Sequence, residues 1–129
     1  MQKTKRGPTK AVVFQAAWLA ALIATVIGEL LPGNSMVMRW VGATHVSDKT
    51  LHFTAYALLA FLPIFGFGTR GGIAVGASMV LLGVALEFAQ RLVPLRSFEV
   101  GDMMANGMGV AAGMALALLG QAWIARVET

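Results

Sequence analysis

Cysteine is absent from this 129-residue chain. That excludes disulfides, thiolate nucleophiles and Cys-ligated zinc. Charge is scarce as well. Charged residues make up 12% of the chain, against roughly 25% in a soluble domain. Hydrophobic residues make up 57%, with a mean hydropathy of +0.73. So few polar groups cannot cover a globule, and lipid is the solvent the composition fits. There is room for about four spans of roughly 20 residues, with short connections and one domain over 1–129. Catalytic signatures are missing too: no Walker A loop, GxGxxG, GxSxG or HExxH occurs.

Basic residues outnumber acidic ones, for a net charge of +4 and a pI near 10.1. Nucleic acid is not the implied partner. The basic residues are scattered, and Lys3, Lys5, Arg6 and Lys10 crowd the N-terminus, where a topology signal accounts for them. The apolar run that follows ends at Gly28-Glu29-Leu30-Leu31-Pro32-Gly33 without an A-x-A site. It reads as an uncleaved first helix rather than a signal peptide.

Four spans are expected, over about 11–31, 48–67, 73–93 and 100–124. Pro32-Gly33 stops the first and Pro94 the third. Ser47 is the expected N-cap of the second, where Pro63 suits a kink that lipid-embedded helices tolerate, and Ser97 is the expected N-cap of the fourth. Connections at 32–47, 68–72 and 94–99 are short, which implies antiparallel neighbours. The expected fold is an all-α, integral-membrane four-helix bundle, up-down-up-down. The Lys/Arg balance places both termini in the cytoplasm: Lys3, Lys5, Arg6, Lys10, Arg70 and Arg126 on that side, Arg39, Lys49, Arg91 and Arg96 on the other. Trp40 and Trp123 then fall at opposite interfaces.

Against this apolar background, polar groups gather at one end of all four spans. Asp48, His52 and Tyr56 recur every four residues and share one helix face. Glu87, Gln90 and Arg91 form a second stripe, Asp102 and Asn106 a third, and Glu29 closes the first span at the same level. Each has an ordinary structural reading: His52, Tyr56 and Asn106 as interhelical hydrogen-bonders, Glu87 and Arg91 as an i,i+4 ion pair, Lys49 and Arg96 as headgroup anchors. Ala105, Gly109 and Gly113 form a small-xxx-small seam for close helix packing. Their convergence in one layer is less ordinary, because ionisable groups persist in lipid only where paired, wet or functional. Three chemistries fit. His52 with Glu87 or Asp102 makes an acid/base pair. Lys49, Arg91 and Arg96 suit an anionic headgroup. His52 with Asp48, Glu87 or Asp102 could ligate a metal, but a lone histidine without H-x-x-x-H spacing makes this the weakest reading, and neither metal nor cofactor is expected.

Three segments in order, Asp48-Lys49-x-x-His52-Phe53-x-x-Tyr56, Glu87-x-x-Gln90 followed by Arg96-Ser97, and Asp102-x-x-Ala105-Asn106-x-x-Gly109, resemble the signature of VanZ-like membrane proteins. The resemblance runs from about Asp48 to Gly113. It implies a small multi-pass protein of the bacterial inner membrane. It also implies functional positions at Asp48, Lys49, His52, Tyr56, Glu87, Gln90, Arg96, Asp102 and Asn106, whereas Arg91 and Glu29 come from the physical reading alone. The family's founder is associated with glycopeptide (teicoplanin) resistance. The expected function is an extracytoplasmic polar pocket that binds an anionic envelope lipid or lipid-linked precursor. The alternatives are a membrane-embedded acid/base enzyme acting on such a lipid, or a structural bundle that binds a membrane-protein partner.

Overall fold

The computed structural model describes residues 9–129. The basic residues Lys3, Lys5 and Arg6 of the topology argument lie outside the described residues. Five helices follow in order: α1 Lys10–Leu30, α2 Met36–Ala43, α3 Asp48–Gly66, α4 Gly68–Gln90 and α5 Val100–Val127. There is no strand among the described residues. All but α2 are long and apolar enough to cross a membrane.

The chain enters its helices where the caps direct it. Thr9 accepts from the Val12 amide to start α1, and Ser47 accepts from the Thr50 amide to start α3, as expected of Ser47. The fourth span starts differently. Its N-cap is Glu99 rather than Ser97, and no side chain of the cap residue closes the first turn. The Ser97 hydroxyl turns instead to the Glu99 carboxylate at 3.4 Å.

α3 is the hub. It packs against α1, α4 and α5, while α1 meets α4 more lightly. Tyr56, Leu59 and Ala60 of α3, Met79 of α4 and Val110 of α5 form the buried apolar core, flanked by Trp18 and Leu22 of α1. Two side chains of α1 bond directly to backbone carbonyls of α3: Gln15 Nε2 to Gly66 O at 2.8 Å, and Trp18 Nε1 to Leu59 O at 3.2 Å. Phe14 stacks on Phe65 alongside them.

The seam anticipated on α5 is where that helix closes on α3. A Cβ at Gly113 would run into the Ala57 carbonyl, and one at Gly109 into the Phe53 carbonyl. Backbones approach this closely only through residues without side chains.

Two boundaries differ from expectation, with a physical reason for each. The run Gly68-Thr-Arg-Gly-Gly reads as a loop, but α4 begins at Gly68 itself, which takes φ +75 to turn the chain sharply out of α3. Gly72 is a packing glycine, seated against the Ile64 backbone of α3. The third span also ends early, at Gln90. From there i→i−3 hydrogen bonds from Arg91, Leu92 and Val93 tighten the chain before Pro94.

The third difference is α2. The stretch 32–47 is a connection in the expected bundle, yet eight of its residues form a helix capped by Ser35, whose hydroxyl accepts from the Met38 amide. The backbone of α2 stays clear of the other helices. Trp40, Met36 and Val37 are largely exposed.

Candidate functional site

The polar residues anticipated on four spans converge at one end of the bundle. α3 leads its stripe inward from the surface. Asp48 is exposed, His52 is buried, and Tyr56 is fully enclosed. At about 1.5 Å per helical residue, the stripe drops roughly 12 Å. Glu29 of α1, Glu87 and Gln90 of α4, and Asp102 and Asn106 of α5 are all buried around it.

His52 is the centre. Its Nδ1 lies 2.9 Å from Asn106 Oδ1. An amide oxygen only accepts, so Nδ1 carries the hydrogen. Three carboxylates surround the ring: Glu29 Oε1 at 3.7 Å from Nδ1, and Asp102 Oδ2 at 3.8 Å and Asp48 Oδ2 at 3.9 Å from Nε2. Asp48, His52 and Asp102 each offer a ligand atom within 4.8 Å of one another. Sequence spacing argued against a metal. The fold assembles a compact N/O donor set from two helices that linear spacing does not reveal.

Gln90 and Arg96 share a different task. Gln90 Nε2 donates to Glu29 O at 3.1 Å, and Arg96 Nη2 approaches the Gly28 and Glu29 carbonyls at 3.5 and 3.4 Å. These carbonyls belong to the last turn of α1, which lacks intrahelical donors and carries the negative end of the helix dipole. A guanidinium and an amide from the far side of the chain therefore cap α1.

Glu87 works across helices as well. Its Oε1 accepts from the Glu99 amide at 2.8 Å, satisfying a donor at the start of α5. Lys49 spans α3 and α5, with Nζ 2.9 Å from Glu99 Oε2 and 3.5 Å from Asp102 Oδ1. The Lys49 ammonium holds the exposed Glu99 carboxyl below the usual carboxylate range. At Asp102 the lysine is within ion-pair range but not aligned for a hydrogen bond, so that oxygen stays unpartnered.

Arg91 is not brought into the layer. It is exposed, with its guanidinium 5.0 Å from the Phe88 ring centroid and 4.2 Å from that of Phe98. No ion pair with Glu87 forms among the described residues, so cation–π contact replaces the i,i+4 pair expected there. His45, in the loop after α2, is exposed and also stands apart.

Several buried polar atoms find no hydrogen-bond partner among the described residues: both carboxylate oxygens of Glu29, Glu87 Oε2, Asp102 Oδ1, Asn106 Nδ2 and the Tyr56 hydroxyl. Buried polar groups are nearly always satisfied, and each such orphan costs about 1–3 kcal/mol. These atoms are concentrated in the one polar layer.

A cavity of about 210 Å³ opens beside the layer. Thr25, Gly28 and Glu29 of α1 form one wall, Val37, Met38 and Val41 of α2 another, and Asp48, Leu51, His52 and Ala55 of α3 the third, with Arg96 at the edge. Two contributors escaped sequence reasoning. Glu99 did, because nothing in linear order pairs it with Lys49. α2 did also, although the Ser35 cap before an apolar Met-Val-Met-x-Trp-Val run was a usable sign of a short helix.

The fold and site thus define a class: a helical membrane protein with a buried, histidine-centred polar layer at one end of its bundle. The particular family follows from comparison with known sequences. Residues 6–121 match VanZ/LLP1, and the chain belongs to that family. No curated protein and no solved structure shows a significant match.

Proposed function

We propose that this protein holds the anionic headgroup of an envelope lipid or lipid-linked precursor in the cavity between α1, α2 and α3, on the outer face of the bacterial cytoplasmic membrane. The observation that carries this reading is the make-up of the cavity. Its walls are apolar, as acyl chains require, and its polar rim brings Arg96, His52, Asp48 and Glu29 together. At about 210 Å³ it is smaller than the ~300–1,000 Å³ of a typical small-molecule pocket. That suits a headgroup whose chains remain in the bilayer. Arg96 places Nη2 on α1 carbonyls and Nη1 3.5 Å from Met38 Sδ, a weak acceptor that an oxyanion would displace from the guanidinium.

Topology supports the outward placement. Lys10, Arg70 and Arg126 stand at the end of the bundle opposite the layer; with Lys3, Lys5 and Arg6 of the N-terminal sequence they outnumber Arg39, Lys49, Arg91 and Arg96, a balance that by the positive-inside rule favours a cytoplasmic placement. A reporter fused after Thr129 that works only outside the cytoplasm would be silent on this arrangement; activity would reverse it. The glycopeptide resistance associated with the family's founder is consistent with a precursor as the ligand.

Native mass spectrometry of detergent-purified protein tests the reading. The wild type retains a discrete phosphate-bearing lipid, and Arg96→Ala loses it while remaining folded. Arg96→Lys, which keeps charge but not the fork, retains an intermediate amount. Wild-type retention by Arg96→Ala would sink the proposal. Turnover of the retained lipid that disappears in His52→Ala would extend the same site to acid/base catalysis, for which the carboxylates 3.7–3.9 Å from the imidazole are suitably placed.

A further inference from the structure

The polar layer has more negative than positive charge. Five of the six acidic residues of the chain, Glu29, Asp48, Glu87, Glu99 and Asp102, lie at this end, and among the described residues Lys49 forms ion pairs there and Arg96 reaches the end of α1, while Arg91 turns to aromatic rings. An anionic headgroup entering such a site meets the wrong charge. Something must offset the carboxylates first.

His52 shows where. With its hydrogen on Nδ1, held by Asn106, the ring presents a lone pair at Nε2. Among the described residues Nε2 makes no hydrogen bond, although the side chain is only 4% exposed. Instead it faces Asp102 Oδ2 at 3.8 Å and Asp48 Oδ2 at 3.9 Å. An imidazole nitrogen and two carboxylate oxygens converging within 4.8 Å of one another make a place for a cation.

We propose that Asp48, His52 and Asp102 bind one divalent first-row transition metal ion. The donors are of the right kind: imidazole and carboxylate together favour zinc, manganese or iron over magnesium or calcium. Their spacing is right too. Ligands about 2.0–2.2 Å from a tetrahedral ion stand roughly 3.3–3.6 Å apart. The observed 3.8 and 3.9 Å from Nε2, with all three donors within 4.8 Å of one another, bring them together once the side chains draw in around an ion. Asn106 supplies the outer hydrogen bond that metal-ligating histidines use to hold their orientation. Three protein ligands leave a coordination position open, as in catalytic rather than structural sites. Asp48 and His52 also line the cavity, so that open position faces it, and Arg96 stands at the same rim. A phosphate oxygen there would be held by the ion and the guanidinium together. This last step deepens the headgroup reading and rests on it; the metal site itself does not.

The test begins with chelator-stripped, detergent-purified full-length protein equilibrated with Zn²⁺ or Mn²⁺. Elemental analysis should find close to one equivalent bound to the wild type and to Arg126→Ala. His52→Gln and Asp102→Asn should bind at least tenfold more weakly. Cobalt substitution in the wild type, read by its ligand-field spectrum, should show mixed nitrogen–oxygen coordination; this readout does not depend on any variant folding. Wild-type protein that is folded yet binds less than a tenth of an equivalent overturns the site, as does folded His52→Gln with undiminished binding. Native mass spectrometry with phosphatidylglycerol, with and without chelator, separates the two proposals. Metal-dependent retention supports both. Retention indifferent to the metal overturns the bridging role and leaves the headgroup site standing. Metal binding without lipid retention removes the headgroup site and leaves the ion.

Discussion

The two ends of the bundle solve the same problem in opposite ways. Both must bring helices together in a solvent that rewards no apolar burial between them. Away from the polar layer the helices meet through glycines, with Gly113 of α5 on the Ala57 carbonyl and Gly72 of α4 on the Ile64 backbone. Stray donors there reach acceptors, as Gln15 and Trp18 do on α3. At the polar end the helices meet through long ionisable side chains, and six buried side-chain atoms of Glu29, Tyr56, Glu87, Asp102 and Asn106 stay unpartnered. The glycine half is built for stability. The polar half gives up stability, and selection tolerates such a loss where a site does work.

Substitutions that affect the two halves differently test this contrast. The largest effect is expected at Gly113. Gly113→Val forces a branched side chain onto the Ala57 carbonyl, and overpacking costs about 1–3 kcal/mol, here at the upper end because backbone rather than a flexible side chain is in the way. Thermal unfolding in detergent should show a large drop in Tm; an unchanged Tm would mean the helix seam is looser than its geometry. Next is Asn106→Leu. It strips His52 Nδ1 of its acceptor inside the bundle, a loss of about 1–3 kcal/mol that should also weaken metal binding at Nε2. If melting and metal affinity are both unaltered, Asn106 does not position the ring.

A smaller effect of opposite sign is expected at Glu29. Both of its carboxylate oxygens are buried without a hydrogen-bond partner. Glu29→Gln removes a poorly solvated carboxyl and should leave Tm equal or slightly higher in stripped, delipidated protein, with no loss of anionic-lipid retention. A clear loss of stability would erase the distinction between the two halves. The mildest effect belongs to the exposed Lys49–Glu99 pair. Glu99 is held below the usual carboxylate range, so its contribution is present above the ordinary value of about 4 and fades as pH falls through the lowered one. Wild type and Glu99→Gln should therefore differ slightly in Tm near neutral pH and converge in acid. A gap that widens in acid would contradict the pairing.

Much of the site is legible in the amino-acid order. The four-residue spacing of Asp48, His52 and Tyr56 puts them on one helix face by geometry alone, and the small-residue register of Ala105, Gly109 and Gly113 marks a close contact whatever the partner. Arg91 shows where such reasoning stops. Its i,i+4 relation to Glu87 permits an ion pair, but the aromatic rings of Phe88 and Phe98 offer it a place at the surface, and Phe98 arrives only by way of the loop after Pro94. Gly68-Thr-Arg-Gly-Gly misleads for a related reason: a glycine that breaks a helix in water packs one in a bundle.

Composition and hydrophobic period are enough to specify the solvent, the number of spans, their alternating direction and the end at which polar groups collect. All of these are local properties of the chain. The pairings are not: His52 between Asp48 and Asp102, Glu87 on the Glu99 amide, Arg96 on the end of α1, and α2 beside a cavity exist only in the folded molecule. They depend on how α3, α4 and α5 rotate and settle against one another. A few ångströms of packing set that, and linear order does not record it.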